Sequence, residues 1–166
     1  MHKLNYNFVT LFGIGNIKIA PGTFGSIFAC LILFILFHVL NLNNYLIFVF
    51  LILITIFSFV SINIYLRNSA NKDPKEVVVD EFVGQSIPIF MYEISHGYEK
   101  SVSDALIFYF IIFILFRIYD VFKPFPINYI DKNLQNAVGV VLDDVIAGIY
   151  TVITLIIIVL TKFYFL

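Results

Sequence analysis

Asp80 and Glu81 stand side by side in Val77–Ile89, a run that is otherwise almost wholly apolar. A second pair, Asp143-Asp144, lies near the start of another apolar run, and Asp120 closes a third. A carboxylate among apolar residues is costly unless something pairs with it. With Asp73 these acids number six, and the bases near them are Arg117 and Lys123. Clustered carboxylates repel one another, and a divalent cation removes that repulsion. A donor set of oxygens, without Cys or His, suits Mg²⁺, Mn²⁺ or Ca²⁺ and disfavours Zn²⁺. The histidines His2, His38 and His96 are scattered, and there is no zinc motif. The plainer alternative is a set of salt-bridged carboxylates that stabilises the fold.

Two further stretches bear on a ligand. In Arg117-Ile-Tyr-Asp120-Val-Phe-Lys123-Pro-Phe-Pro126, Arg117 and Asp120 have the spacing of a helical ion pair. Lys123, beside a rigid Pro-Phe-Pro segment, is a fixed positive charge near the acids. A metal ion and cations together suit a phosphate, whose non-bridging oxygens they neutralise. Ala20-Pro-Gly-Thr-Phe-Gly-Ser26 is not a P-loop. A Gly22-Thr23 turn opening a helix would expose N–H groups to an anion, although Thr23 as an ordinary N-cap is the simpler reading. Gly84, four residues after Asp80, would let a neighbouring helix approach closely. Val78–Gly84 echoes Val141–Ala147, either as a short internal repeat or by coincidence in a restricted alphabet. These residues read as a metal-dependent site for a phosphorylated ligand. They do not choose among hydrolase, transferase and transporter.

The elements that position them must lie in a membrane. The 166-residue chain is 61% hydrophobic and 13% charged, against roughly 25% charged for a soluble domain. The length suits one domain, 1–166. The net charge of −1 and the lack of a basic stripe argue against nucleic acid as partner. Cys30 has no second cysteine to pair with, and the N-terminus shows no cleaved signal peptide. Apolar segments run over 24–40, 45–66, 77–92, 105–116 and 138–160, with polar loops at 67–76, 93–104 and 127–136. The expected fold is an all-α membrane bundle of four to five embedded helices. If 77–92 crosses despite Pro88, eight of the ten Lys and Arg fall on one side with the N-terminus; if it does not, the split is six against four. The positive-inside rule favours crossing, with the N-terminus cytoplasmic. The acids, Lys123 and the Gly22-Thr23 turn then share the cytoplasmic level, while Glu93, Glu99 and Asp104 fall opposite without a role.

Four blocks resemble the phosphatidylglycerophosphatase A family in order: Ala20–Ser26, Asp73-Pro74 leading into Val79–Gly84, Phe116–Pro126 and Gly139–Gly148. Phe24 replaces an aromatic that is often Trp in the family, and Tyr119 a common Phe. The resemblance implies an all-helical, Mg²⁺-dependent lipid phosphatase of the bacterial cytoplasmic membrane. It would hydrolyse phosphatidylglycerophosphate to phosphatidylglycerol and phosphate, with the site facing the cytoplasm. On that reading Asp80, Glu81, Asp143 and Asp144 hold Mg²⁺, and Asp120 is a further ligand or orients water. Arg117 and Lys123 hold phosphate oxygens, and Gly22, Thr23 and Gly25 complete the cradle. Metal-polarised water is the expected nucleophile, and a carboxylate that forms an aspartyl-phosphate is the alternative, although the Asp-x-Asp-x-Thr and histidine-based phosphatase sequences are absent. A phosphatase of another lipid phosphate and a transporter with an acidic relay are the rival readings. Oligomeric state is not legible.

Overall fold

A computed structural model describes residues 2–67, 69, 74–96 and 101–165. Asp73, Lys72, Glu99 and Lys100 therefore lie outside the described residues, as does the side chain of His96. Among those described there are helices and no strands. α1 is His2–Val9, α2 Pro21–Phe34, α3 Asn44–Leu66, α4 Val79–His96, α5 Val102–Phe122, α6 Ile127–Asn133 and α7 Ala137–Phe165. A π-helical turn, Ile35–Val39, prolongs α2. The 127–136 stretch, expected as loop, contains α6. At seven residues it is too short for hydrophobic periodicity to reveal.

Helix ends follow local chemistry. α3 starts where Asn43 accepts the Tyr45 N–H at 2.8 Å, and α5 where Ser101 accepts the Asp104 N–H at 3.1 Å. α5 stops at Lys123, left-handed at φ 43° and followed by Pro124. α2 begins three residues earlier than expected, at Pro21, because proline suits the first helical position. Thr23 is thus inside the helix and is not its N-cap.

Among the described residues four helices are long and apolar enough to cross a membrane: α2 with its π turn, α3, α5 and α7. α4 falls short because it carries Asp80, Glu81, Gln85 and Glu93. Nevertheless it is the axis of the bundle, packed most extensively against α7 and then α2. Val78, Val79, Phe82 and Ile89 are fully or nearly fully buried, and the helix continues through Pro88. α4 runs parallel to α2 and shares both its ends. Glu81 lies beside Gly22 at one end, and His38 Nε2 is 3.1 Å from Glu93 Oε1 at the other. Glu93 and His38 therefore have a role that the sequence did not suggest, tying α2 to α4. Polar side chains are tolerated in α4 because its neighbours, not lipid, surround it.

The α4–α7 crossing is close. A Cβ on Gly84 would fall 2.6 Å from the Asp144 backbone oxygen, and one on Gly148 would fall 2.5 Å from that of Gly84. Small residues on both helices allow this approach. The two echoing segments, Val78–Gly84 and Val141–Ala147, thus face each other.

Candidate active site

The crossing at Gly84 brings the first turn of α4 against the second turn of α7. Asp80, Glu81 and Asp144 can each offer an oxygen, with all three oxygens within 4.8 Å of one another. Asp80 and Asp144 are 7% and 3% exposed. Asp80 Oδ1, Glu81 Oε2 and Asp144 Oδ1 are buried without a hydrogen-bond partner among the described residues. Buried polar atoms are rarely left unsatisfied. Three such carboxylate oxygens at one point fit a hard divalent cation.

Asp143 is placed differently. It lies outside this trio and turns to Lys123, whose Nζ donates to Asp143 Oδ2 and Asp131 Oδ1, each at 2.6 Å. Asp131 was not legible as a site residue. α6 carries it in, docked through buried Ile127 beside Phe116 of α5 and Ala147 of α7. Burial works against the Lys123 charge, but the two carboxylates outweigh it and hold the ammonium above its ordinary pKa. Lys123→Gln should leave Asp131 and Asp143 facing each other unpaired. Discounted for partial exposure, the expected cost is about 1–2 kcal/mol. A thermal melt in detergent should show a midpoint lower by several degrees.

Arg117 pairs with Asp120 one turn along α5. A Cβ on Gly22 would lie 2.1 Å from Glu81 Oε1 and 3.3 Å from an Arg117 guanidinium nitrogen. The bare glycine therefore makes room for the acid and the cation together. Gly25 packs against Val78, and neither it nor Thr23 lines the cavity above the acids. The Thr23 and Phe24 N–H groups both face the Ala20 carbonyl, at 3.0 and 3.4 Å. The anion cradle expected at this turn therefore shrinks to Gly22, because the helix is already under way. Gln85, one turn beyond Glu81, is fully buried, and among the described residues neither of its side-chain polar atoms has a hydrogen-bond partner.

The cavity holds about 910 Å³ and opens at the end of the bundle where α2, α4 and α7 begin and α5 ends. Asp80, Glu81, Asp144, Asp143, Asp120, Arg117 and Lys123 all line it. So do Lys18, Lys75 and Lys132, which sequence reading did not connect with the site.

Fold and site together define a helical membrane protein with a cavity lined by acids and bases at one end of its bundle. The sequence model of the Phosphatidylglycerophosphatase A family matches residues 7–159, so the chain belongs to that family and is a lipid phosphatase. It is 35% identical to a Haemophilus influenzae protein named Phosphatidylglycerophosphatase A, covering 86% of this chain and 80% of that one. It is also 35% identical to a Bacteroides thetaiotaomicron protein named "Putative phosphatidylinositol-3-phosphatase", covering 87% and 86%. An Escherichia coli Phosphatidylglycerophosphatase A is 29% identical, covering 83% and 73%. No solved structure matches.

Proposed function

We propose that this lipid phosphatase hydrolyses the terminal phosphate monoester of phosphatidylglycerophosphate, releasing phosphatidylglycerol and phosphate on the cytoplasmic face of the bacterial inner membrane. The observation that carries the reading is the trio of buried, unpartnered carboxylate oxygens of Asp80, Glu81 and Asp144 at a cavity in a family of this activity. A head group can enter such a cavity while its acyl chains stay beside the helices.

Asp80, Glu81 and Asp144 would hold Mg²⁺, which when bound supplies Lewis-acid neutralisation of the phosphate and activation of water. The chain's own groups do the rest. The Arg117 guanidinium, steadied by Asp120, binds non-bridging phosphate oxygens. Lys123, fixed by Asp131 and Asp143, adds a second positive charge, and Asp143 acts through that lysine. The missing Gly22 side chain lets the Glu81 carboxylate and the Arg117 guanidinium stand together at the site. Asp120 accepts a proton from the attacking water as its oxygen bonds to phosphorus. The ester P–O bond breaks, and the proton taken up by Asp120 passes through water to the leaving glycerol oxygen, which restores the carboxylate.

The test is phosphate release by the purified chain in detergent with phosphatidylglycerophosphate. Release should stop in excess EDTA and return when Mg²⁺ is added in excess of the chelator. Undiminished release in EDTA would remove the metal, and no release with Mg²⁺ would remove the substrate. The Bacteroides relative favours one alternative, a phosphoinositide monoester. The same assay decides by comparing kcat/KM for the two lipids.

A further inference from the structure

The five cations of the cavity fall into two groups. Arg117 and Lys123 are partly buried, and each is held by carboxylates. Lys18, Lys75 and Lys132 are exposed. Among the described residues none of these three has an ion pair or a side-chain hydrogen bond. They come from three separate places: the loop before α2, the turn before α4, and α6. Nothing local brings them together, yet all three line the same cavity.

Charge is therefore unevenly spread. Among the described residues the floor has three acids in no ion pair, Asp80, Glu81 and Asp144, with Arg117 near Glu81 alone. The rim has three bases in no ion pair. A cation with one phosphate monoester answers the floor and leaves the rim unanswered. The lipid proposed above has a second phosphate, the diester, one glycerol unit back from the first. With the monoester at the floor, that diester lies toward the mouth of the cavity, where the lysines are.

We infer that Lys18, Lys75 and Lys132 form a second anion subsite, which binds the phosphodiester of the lipid and selects substrates with two phosphates over those with one. This rests on the lipid phosphatase reading above. Lysine suits the task, since its ammonium is a mobile point charge that asks for no fixed oxygen geometry. A neighbouring anionic lipid head group has the same chemistry, so the test must separate the two sources.

The experiment uses the full chain in micelles of neutral detergent. Parent and a Lys18→Ala, Lys75→Ala, Lys132→Ala triple variant are compared on phosphatidylglycerophosphate. Phosphatidylglycerol (diester without monoester) and phosphatidic acid (monoester without diester) serve as competing inhibitors. The variant should show KM raised about tenfold, with a smaller fall in kcat. Inhibition by phosphatidylglycerol should weaken by a similar factor, and inhibition by phosphatidic acid by less than about threefold. The corresponding triple Lys→Arg variant should keep most of the parent's KM. Equal weakening of both inhibitors would mean that the lysines attract any anionic lipid, and would overturn the subsite. An unchanged KM, or no inhibition of the parent by phosphatidylglycerol, would overturn it too, while parental turnover leaves the substrate assignment standing. A parent that releases no phosphate from phosphatidylglycerophosphate overturns both.

Discussion

Asp144→Asn should lower phosphate release by about a thousandfold while leaving the fold intact, because each of three oxygens is needed to hold one cation. The amide keeps the shape of the side chain but loses its charge. Two ionised groups with oxygens no more than 4.8 Å apart repel by at least about 3.5 kcal/mol at an effective dielectric near 20. Without the metal, removing one carboxylate relieves that repulsion. The variant's thermal midpoint in EDTA should therefore equal or exceed the parent's. Mg²⁺ should raise the parent's midpoint and leave the variant's unmoved, since only a protein that binds an ion is stabilised by it. Asp80→Asn should behave alike. Retention of activity within tenfold of the parent would show that the trio is not the reaction centre.

Gly84→Ala is the second large effect. The new Cβ would fall 2.6 Å from the Asp144 backbone oxygen and 2.8 Å from both its carbonyl carbon and its Cβ. Backbone cannot rotate aside, so α4 and α7 must move apart. Overpacking of this kind costs about 1–3 kcal/mol. The displacement is delivered to Asp144 itself, and a shift near 1 Å at a reacting geometry costs about a hundredfold in rate. Lower kcat and a lower melting midpoint should appear together. Gly22→Ala is the instructive contrast, since its Cβ meets the end of the Glu81 side chain, which can swing away. That variant should lose activity while melting near the parent. If Gly84→Ala matched the parent in both measurements, the close crossing would be wrong.

The sequence was most informative where cost is local. Asp80, Glu81 and Asp144 stood out because charge in an apolar run is expensive wherever the chain goes. Lys123-Pro-Phe-Pro126 ended its helix as proline chemistry dictates, and the uncharged 45–66 run became α3 nearly to the residue. What stayed hidden depends on distant partners. Asp143 looks like Asp144 in sequence, yet helical geometry turns adjacent side chains about 100° apart. One joins the trio and the other meets Lys123. Asp131 sits in a polar stretch with no periodicity, and only the docking of Ile127 brings it to the site. Lys18, Lys75 and Lys132 lie in three connecting segments that ordinary solvation explains equally well until the fold is seen. Gly25 resembled part of an anion loop, but its neighbour is Val78, just before α4.

The buried position of α4 has a consequence for biogenesis. A segment with two acids in its first turn, Gln85 and Pro88 in its middle and Glu93 near its end has little reason to leave a translocation channel for lipid. It becomes stable in the bilayer once protein covers it. α2 and α3 are made before it and can receive one flank, but its largest contact is with α7, which is made after α5 and α6. Commitment of α4 to the membrane therefore waits on α7. Asp80, Glu81 and Asp144 are shut in by the same late event, so a chain still lacking α7 presents neither a settled topology nor an assembled cluster of acids.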